Sequence, residues 1–424
     1  MKKYIILICF IVLGVSAEVV EYTLKDCLDI ALENNISVIT AKDNMEIADT
    51  KVVQARSDVL PHLSASGGYT RFEENLIFDN LDNYQVNLNA NQLLFSGGQV
   101  AAALKAARES KVYYEYGFEG VISELTRDVI KEFYGVLYTK AVVKVREESL
   151  KQLIDLKNDS EVRLKTGTAS DFDLLRAKVS VSNEKPLLIA ASNNYALAEA
   201  SFKRLLDLDN QQFDLLGSLS NFPSIKEDLS TLNKECLLNR PDILEMESLM
   251  ILREYDRDYA SSAWWPEVSL NFNYGGANDR GDEGVYYGDE WGWSWNAGVV
   301  AKWDLWNGNL TYGIVKEKAL ELRKQEQLYD DFKKTALLQV KIAYLDMNAA
   351  KKAIEAAFDG LDLAVQAQTI ASKRYQIGIG TYLEFTDANL SLSTSRLTLL
   401  TAVYEYYQAI ADLEYAVGIE LFEK

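Results

Sequence analysis

Along residues 83–98, "NYQVNLNANQLLFSGG", Val86, Leu88 and Ala90 alternate with Asn87, Asn89 and Asn91. A period of two puts the three apolar side chains on one face of a strand and the three carboxamides on the other. The alternation returns in "EVSLNFNY", where Val268, Leu270, Phe272 and Tyr274 oppose Ser269, Asn271 and Asn273. In "WSWNAGVVAKWDLW" it places Trp293, Trp295, Ala297, Val299, Ala301, Trp303 and Leu305 together, with only Val300 breaking the polar face. Leu63, Ala65, Gly67 and Tyr69 keep the same phase. These segments predict four strands in two hairpins, at about 62–95 and about 267–306. Elsewhere the pattern is helical. Gln99–Lys165 and Leu310–Gln376 run without proline and are rich in Ala, Leu, Glu, Lys and Gln. At about 1.5 Å per residue each predicts a helix roughly 100 Å long, far beyond an ordinary globular helix and suited to coiled-coil packing. A helix of about 35 residues is expected before each hairpin, ended by Pro61 or Pro266. A glycine turn and a returning helix follow each long helix, and Pro186 is expected to kink or interrupt the first return.

The two sets of elements are copies. "ALENNISV" from Ala31 aligns with "CLLNRPDI" from Cys236 at a shift of 205 residues, and the same shift pairs Pro61 with Pro266 and Tyr69 with Tyr274. Beyond the hairpins the shift is 211: "LLFSGG" from Leu93 meets "DLWNGN" from Asp304, and Gly167 meets Gly378. A shift held over such distances marks an internal repeat. The six extra residues fall in "GGANDRGDEGVYYGDEWG", a Gly- and Asp-rich loop. The expected organisation is a signal peptide at 1–17, a first repeat at 18–208, a linker at 209–227, a second repeat at 228–418 and a tail at 419–424.

Composition narrows the function. Lys2 and Lys3 followed by an apolar stretch from Tyr4 to Gly14, with small residues at Val15-Ser16-Ala17, predict export. No later apolar run is long enough for a transmembrane helix. A net charge of -19 excludes nucleic acid as a partner, since phosphates would be repelled. Without the signal, Cys27 and Cys236 remain, too few for a disulfide scaffold and read as two buried thiols or one bridge. The lone histidine, His62, follows a proline and reads as structural. There is no nucleophile–histidine pairing, metal-spaced cluster or phosphate-binding glycine loop, so neither an enzyme nor a cofactor is expected.

What solvent, then, meets each face of the strands? They are about as long as a tilted strand needs to cross a bilayer, Tyr69, Tyr274, Trp293, Trp303 and Trp306 cluster near their ends, and the helices are too long to cover them. Lipid against Val86, Leu88 and Ala90, with water against Asn87, Asn89 and Asn91, satisfies the pattern. A bilayer tolerates no open sheet edge, and four strands cannot close. Three copies would give about twelve strands and an aqueous lumen. The expected fold class is a mixed α and β membrane protein: a long α-helical coiled-coil barrel plus a trimeric 12-stranded β-barrel with four strands per chain, built from an internal repeat.

The repeated unit of helix, proline, hairpin, "FSGG" or "WNGN" and long helix resembles the outer-membrane efflux protein family, the TolC-like channels. "NRPDI" from Asn239, and Gly378 followed by "LEFTDA" from Leu383, carry the resemblance most specifically, and it covers essentially the whole chain after the signal. It implies a homotrimer in the outer membrane with a helical barrel in the periplasm, a passive exit duct for efflux or type I secretion, and two partners, a periplasmic adaptor and an inner-membrane transporter. The implied periplasmic gate is a selectivity ring of Glu384 and Asp387, with tip-closing contacts from Asp173 and Tyr375. An arginine of the family pattern would fall at Gly380. Three residues apart on a helix, Glu384 and Asp387 share a face, which also suits a solvated acidic face or carboxylates favouring a helix N-terminus. An exported coiled-coil structural or adhesive protein with a soluble β-tip is the alternative function, separated from a channel by whether the chain requires detergent.

Overall fold

The computed structural model describes residues 20–71, 73, 82–208, 213–219, 223, 225, 227–278 and 291–421. The expected signal peptide, part of the linker and tail, and most of the Gly- and Asp-rich loop lie outside these residues. The chain runs β1 (Val20–Tyr22), α1 (Leu24–Asn34), α2 (Ile36–Ser57), β2 (His62–Arg71), β3 (Asp82–Ser96), α3 (Gln99–Lys165), α4 (Asp171–Leu205), β4 (Phe213–Leu215), α5 (Leu229–Asn239), α6 (Pro241–Ser261), β5 (Glu267–Ala277), β6 (Gly292–Lys302), α7 (Leu310–Gln376) and α8 (Tyr382–Val417). The helices α3 and α7 are each 67 residues long. Both ends of α7 lie 211 positions after those of α3, so the repeat in the sequence is a repeat of elements. None of the described helices is long and apolar enough to cross a membrane.

The helix expected before each hairpin is in fact two. Between α1 and α2, Asn35 is extended (φ -66°, ψ 127°). Its side chain replaces the lost helical bonds, donating to the Leu205 carbonyl at 3.2 Å and accepting from the Ser37 amide at 2.9 Å. Between α5 and α6 the break falls at Arg240, which stands 205 positions after Asn35 and is also extended (φ -70°, ψ 117°). Here the cause is Pro241, whose ring disfavours helical backbone at the residue before it and suits the first helical position. Pro186 behaves differently from expectation: α4 continues through it. The proline removes one hydrogen bond of many, and flanking residues hold the helix. Glu184, buried on α4, meets Arg146 of α3 at 3.4 Å.

Contacts divide the chain into two compact units. One contains Ile122–Cys236 and Gln339–Lys424 together with the chain start. It has a protein core. Phe133, Phe202, Ile130, Tyr406, Tyr407, Ile410 and Leu413 are all under 2% exposed. Residues 129, 130, 133, 136 and 137 of α3 recur at helical spacing on its buried side. Tyr134 stacks on Tyr407 at 3.6 Å and Tyr138 on Tyr404 at 4.7 Å, pinning α3 to α8. Two short strands that the alternation did not reveal, β1 and β4, pair in parallel and bring Phe213 against Phe202. Cys27 and Cys236 are buried free thiols, and burial pushes that of Cys27 up to about 12.

The other unit contains Thr40–Val121 and Leu237–Leu338. Its centre is a four-stranded antiparallel sheet in the order β2-β3-β5-β6. The register carries each face across all four strands. One row runs Ala65, Leu88, Tyr274, Trp295 and the next Leu63, Ala90, Phe272, Ala297. Paired residues share a face, so the apolar side is continuous. Near the end of β3 the chain inserts one residue. Leu93 pairs with Ser269, Phe95 pairs with Val268, and Leu94 between them has no partner. This bulge returns Phe95 to the apolar face and Ser96 to the polar one.

Candidate functional site

Two places carry the residues expected to function: the polar face of the sheet, and the turns at the ends of the long helices.

On the sheet, Asn87, Asn89 and Asn91 all lie on the polar face. The register extends each into a row of uncharged polar groups: Ser64, Asn89, Asn273 and Asn296 form one, and Ser66, Asn87, Gly275 and Ser294 another. Asn91 donates to the side-chain oxygen of Asn271. The opposite face is apolar and bare within one chain. Leu88 is 52% exposed, Val299 64% and Trp295 69%. Aromatic rings gather at one end of that face, with Tyr69 against Tyr84 at 5.0 Å and Tyr274 stacked on Trp293 at 5.3 Å. At the other end Trp303 donates its indole N–H to the Trp264 carbonyl at 3.1 Å. Neither β2 nor β6 has a second neighbour among the described residues, so two edges of backbone groups stand open.

The two turns are the same device built twice. After α3, the Thr168 amide reaches the Arg163 carbonyl at 2.8 Å and the Gly167 amide the Leu164 carbonyl at 3.0 Å. After α7, the Ile379 amide reaches the Arg374 carbonyl at 3.0 Å and the Gly378 amide the Tyr375 carbonyl at 3.2 Å. Both helices thus end in the crossed pair of bonds that needs a left-handed residue, and Gly167 (φ +75°) and Gly378 (φ +80°) supply it. Three residues on, Ser170 and Thr381 cap the returning helices, each closing a reciprocal box with the acid at the third helical position. That acid is Asp173 in α4 and Glu384 in α8.

The geometry therefore gives Asp173 and Glu384 one shared role, holding a helix N-terminus. Glu384 accepts from the Thr381 amide at 3.0 Å, and Arg374 stands 4.0 Å away. Asp387, one turn further along α8, is exposed. Within the chain Tyr375 does not meet Asp173. It stacks on Phe385 at 5.3 Å, and the Arg163 guanidinium lies 4.5 Å from its ring centre. Arg163 is itself held by Asp159 at 2.7 Å. Burial pushes the Tyr375 phenol up, against the opposing influence of Ser160 and Arg163. Tyr375 and Phe385 pack on a buried cluster of Leu156, Ala177 and Tyr382, so residues of α3, α4, α7 and α8 meet here. The first turn has Leu164, Asp171 and Leu174 in place of Tyr375, Tyr382 and Phe385. Gly380 is tightly fitted: a Cβ there would stand 2.9 Å from the Tyr375 amide nitrogen. Arg163 and Arg374 stand beside this turn.

A sheet apolar on one side, amide-lined on the other, without a protein core and joined to 67-residue helices defines a channel-forming protein of the outer-membrane type. Residues 27–207 and 232–419 match the family described as Outer membrane efflux protein, and the chain belongs to that family. The Solvent efflux pump outer membrane protein SrpC of Pseudomonas putida is 24% identical over 414 residues, covering 92% of this chain and 84% of that protein. Outer membrane protein TolC of Vibrio cholerae is 22% identical over 428 residues, covering 99% of this chain and 96% of that one. The solved CmeC outer membrane channel of Campylobacter jejuni shares the fold, with a TM-score of 0.82 at 18% identity over 95% of this chain and 87% of that one. The protein is an outer-membrane efflux channel with its helical barrel in the periplasm. Members of the family are channels rather than enzymes.

Proposed function

We propose that three copies of this chain close one twelve-stranded barrel and form the exit duct of a tripartite pump. Its partners are a periplasmic adaptor and an inner-membrane transporter, and it does no chemistry of its own. The observation that carries the reading is the sheet: four strands apolar on one face, with both edges open. Backbone groups left unpaired in hydrocarbon cost several kcal/mol each, so neighbouring copies must complete the ladder. Lipid meets Leu88 and Val299; Asn87, Asn89 and Asn91 line the lumen. The chain divides into a signal peptide at 1–17, two repeats at 18–208 and 228–418 with a linker between them, and a tail from 419. Light scattering of the protein purified in mild detergent tests the assembly. A mass near three chains is expected, and a detergent-free monomer would overturn the reading.

The periplasmic gate is the pair of turns. Glu384 and Asp387 contribute two carboxylates per chain to a ring that concentrates cations and excludes anions. Asp173 steadies its turn by capping, while Tyr375, clamped by Arg163 and Phe385, holds the second turn closed until the adaptor engages. Glu384→Gln separates the roles, because glutamine also serves at the third position of a capping box. Single-channel recording of Glu384→Gln combined with Asp387→Asn should show reduced cation selectivity with assembly intact. Selectivity equal to wild type would leave Glu384 as a cap alone.

A further inference from the structure

Where β3 runs into α3, and where α6 leads into β5, the sheet unit forms a cavity of about 500 Å³ that is open to solvent on one side. That is within the range of small-molecule sites. The cross-strand row Ser96, Glu267, Lys302 forms its floor on the polar face of the sheet. Tyr259 and Trp265, 46% and 62% exposed, are its aromatic walls, and Asp304 adds a second carboxylate to Glu267.

The walls are fixed before any ligand arrives. Gln99 donates to the Tyr259 hydroxyl at 2.8 Å. Gly97, at φ +62°, lies so close to the Ser262 carbonyl and the Trp265 Cβ that a side chain there would approach both at 2.6 Å. Ser96 is only 8% exposed, lines the cavity, and its hydroxyl makes no hydrogen bond among the described residues. The hydroxyl is open to the cavity and free to meet a ligand there.

The charges also leave a remainder. Asp256 is taken by Arg253 at 3.0 Å and Lys318 by Glu321 at 2.9 Å. Among the described residues, Glu267 and Asp304 have no salt bridge, and Lys302 is the one cation left to oppose them. Two carboxylates, two aromatic faces and a free hydroxyl suit an ammonium group attached to an apolar body, since ring faces attract cations where water is partly excluded. An anion would have Lys302 alone.

We propose that this cavity binds organic cations, with Glu267 and Asp304 meeting the ammonium, Ser96 accepting one of its N–H groups, and Tyr259 and Trp265 covering the body. As a binding site it lies within a single chain. As a contact for passing cargo it rests on the lumen assignment of the polar face.

The test is isothermal titration of the assembled protein in nanodiscs, with empty nanodiscs subtracted. The probes are 2-phenylethylammonium and its uncharged near-isostere 2-phenylethanol. Saturable binding of the ammonium near one per chain is expected, at least tenfold tighter than the alcohol. Glu267→Gln combined with Asp304→Asn should weaken the ammonium at least tenfold and leave the alcohol unchanged. No saturable ammonium binding, equal binding of the two probes, or an unaffected double variant would overturn the site. Should the double variant fail to assemble, the contrast between the probes on the unaltered protein decides. Particle mass tests the channel reading separately, so failure of one is distinguishable from failure of the other.

Discussion

The two compact units bury their apolar residues in different ways. In the helical unit, Phe133, Tyr406 and Ile410 are enclosed by protein at 1% exposure or less. In the sheet unit, Leu63, Trp295 and Val299 stand at 80%, 69% and 64%, although they form an ordered continuous face. A protein core and an apolar face without one are answers to two solvents. The first unit can satisfy itself in water. On the proposed reading the second is finished by lipid on one face and by further strands at both edges, so its residues specify surroundings as much as structure.

Substitutions can break this contrast, and the deepest should cost most. Phe133→Ala removes a ring enclosed by Phe202 and Tyr134. A loss of about 3–5 kcal/mol is expected, seen as a lowered midpoint in denaturant unfolding. A cost below about 1 kcal/mol would mean that the helical unit has no such core. Next comes the sheet. Val299→Arg should lose about 2–4 kcal/mol at the middle of the bilayer, read as loss of assembled protein in outer-membrane fractions. Val300→Asn, on the other face and paired with Ser269, should assemble normally. Equal outcomes for these neighbours would cancel the assignment of solvents to faces. The smallest effects compare the two turns. Ser170→Ala and Thr381→Ala each remove a cap, costing about 1 kcal/mol and speeding hydrogen exchange in the first turn of α4 or α8. A much larger penalty at Thr381 would show that the Tyr375 cluster leans on its cap.

The sheet and the repeat were legible because both are written in local periods. Alternation gave the faces, and the register then aligned them across strands. The matching glycines at 167 and 378 were legible as turns, and the Ser-x-x-Asp and Thr-x-x-Glu patterns that follow them also signal capping boxes. The family resemblance implies different roles for Asp173 and Glu384, whereas this pattern gives them a common one as caps. Other features depend on partners distant in the chain. Asn35 breaks a helix with help from Leu205, 170 positions away. Arg163 meets Tyr375 only because α3 and α7 are brought together. Arg240 was the exception, since the proline after it announces the break. The strands β1 and β4, three residues each, are too short for a period to show.

The unpartnered Leu94 gives β3 something like a reading frame. A strand has two phases, and losing or gaining one residue sends everything beyond it to the wrong side. Upstream of the bulge, β3 keeps the frame that faces amides one way and aliphatics the other. Its last residues need the opposite frame, so that Phe95 joins the apolar rim and Ser96 enters the polar row. Leu94 is the frameshift that reconciles them. Deleting it should misdirect only the final residues of the strand, whereas deleting Ala90 would shift every residue of the strand beyond it. Removing Ala90 and inserting a residue just before the bulge should restore the remainder, much as paired frameshifts restore a coding sequence.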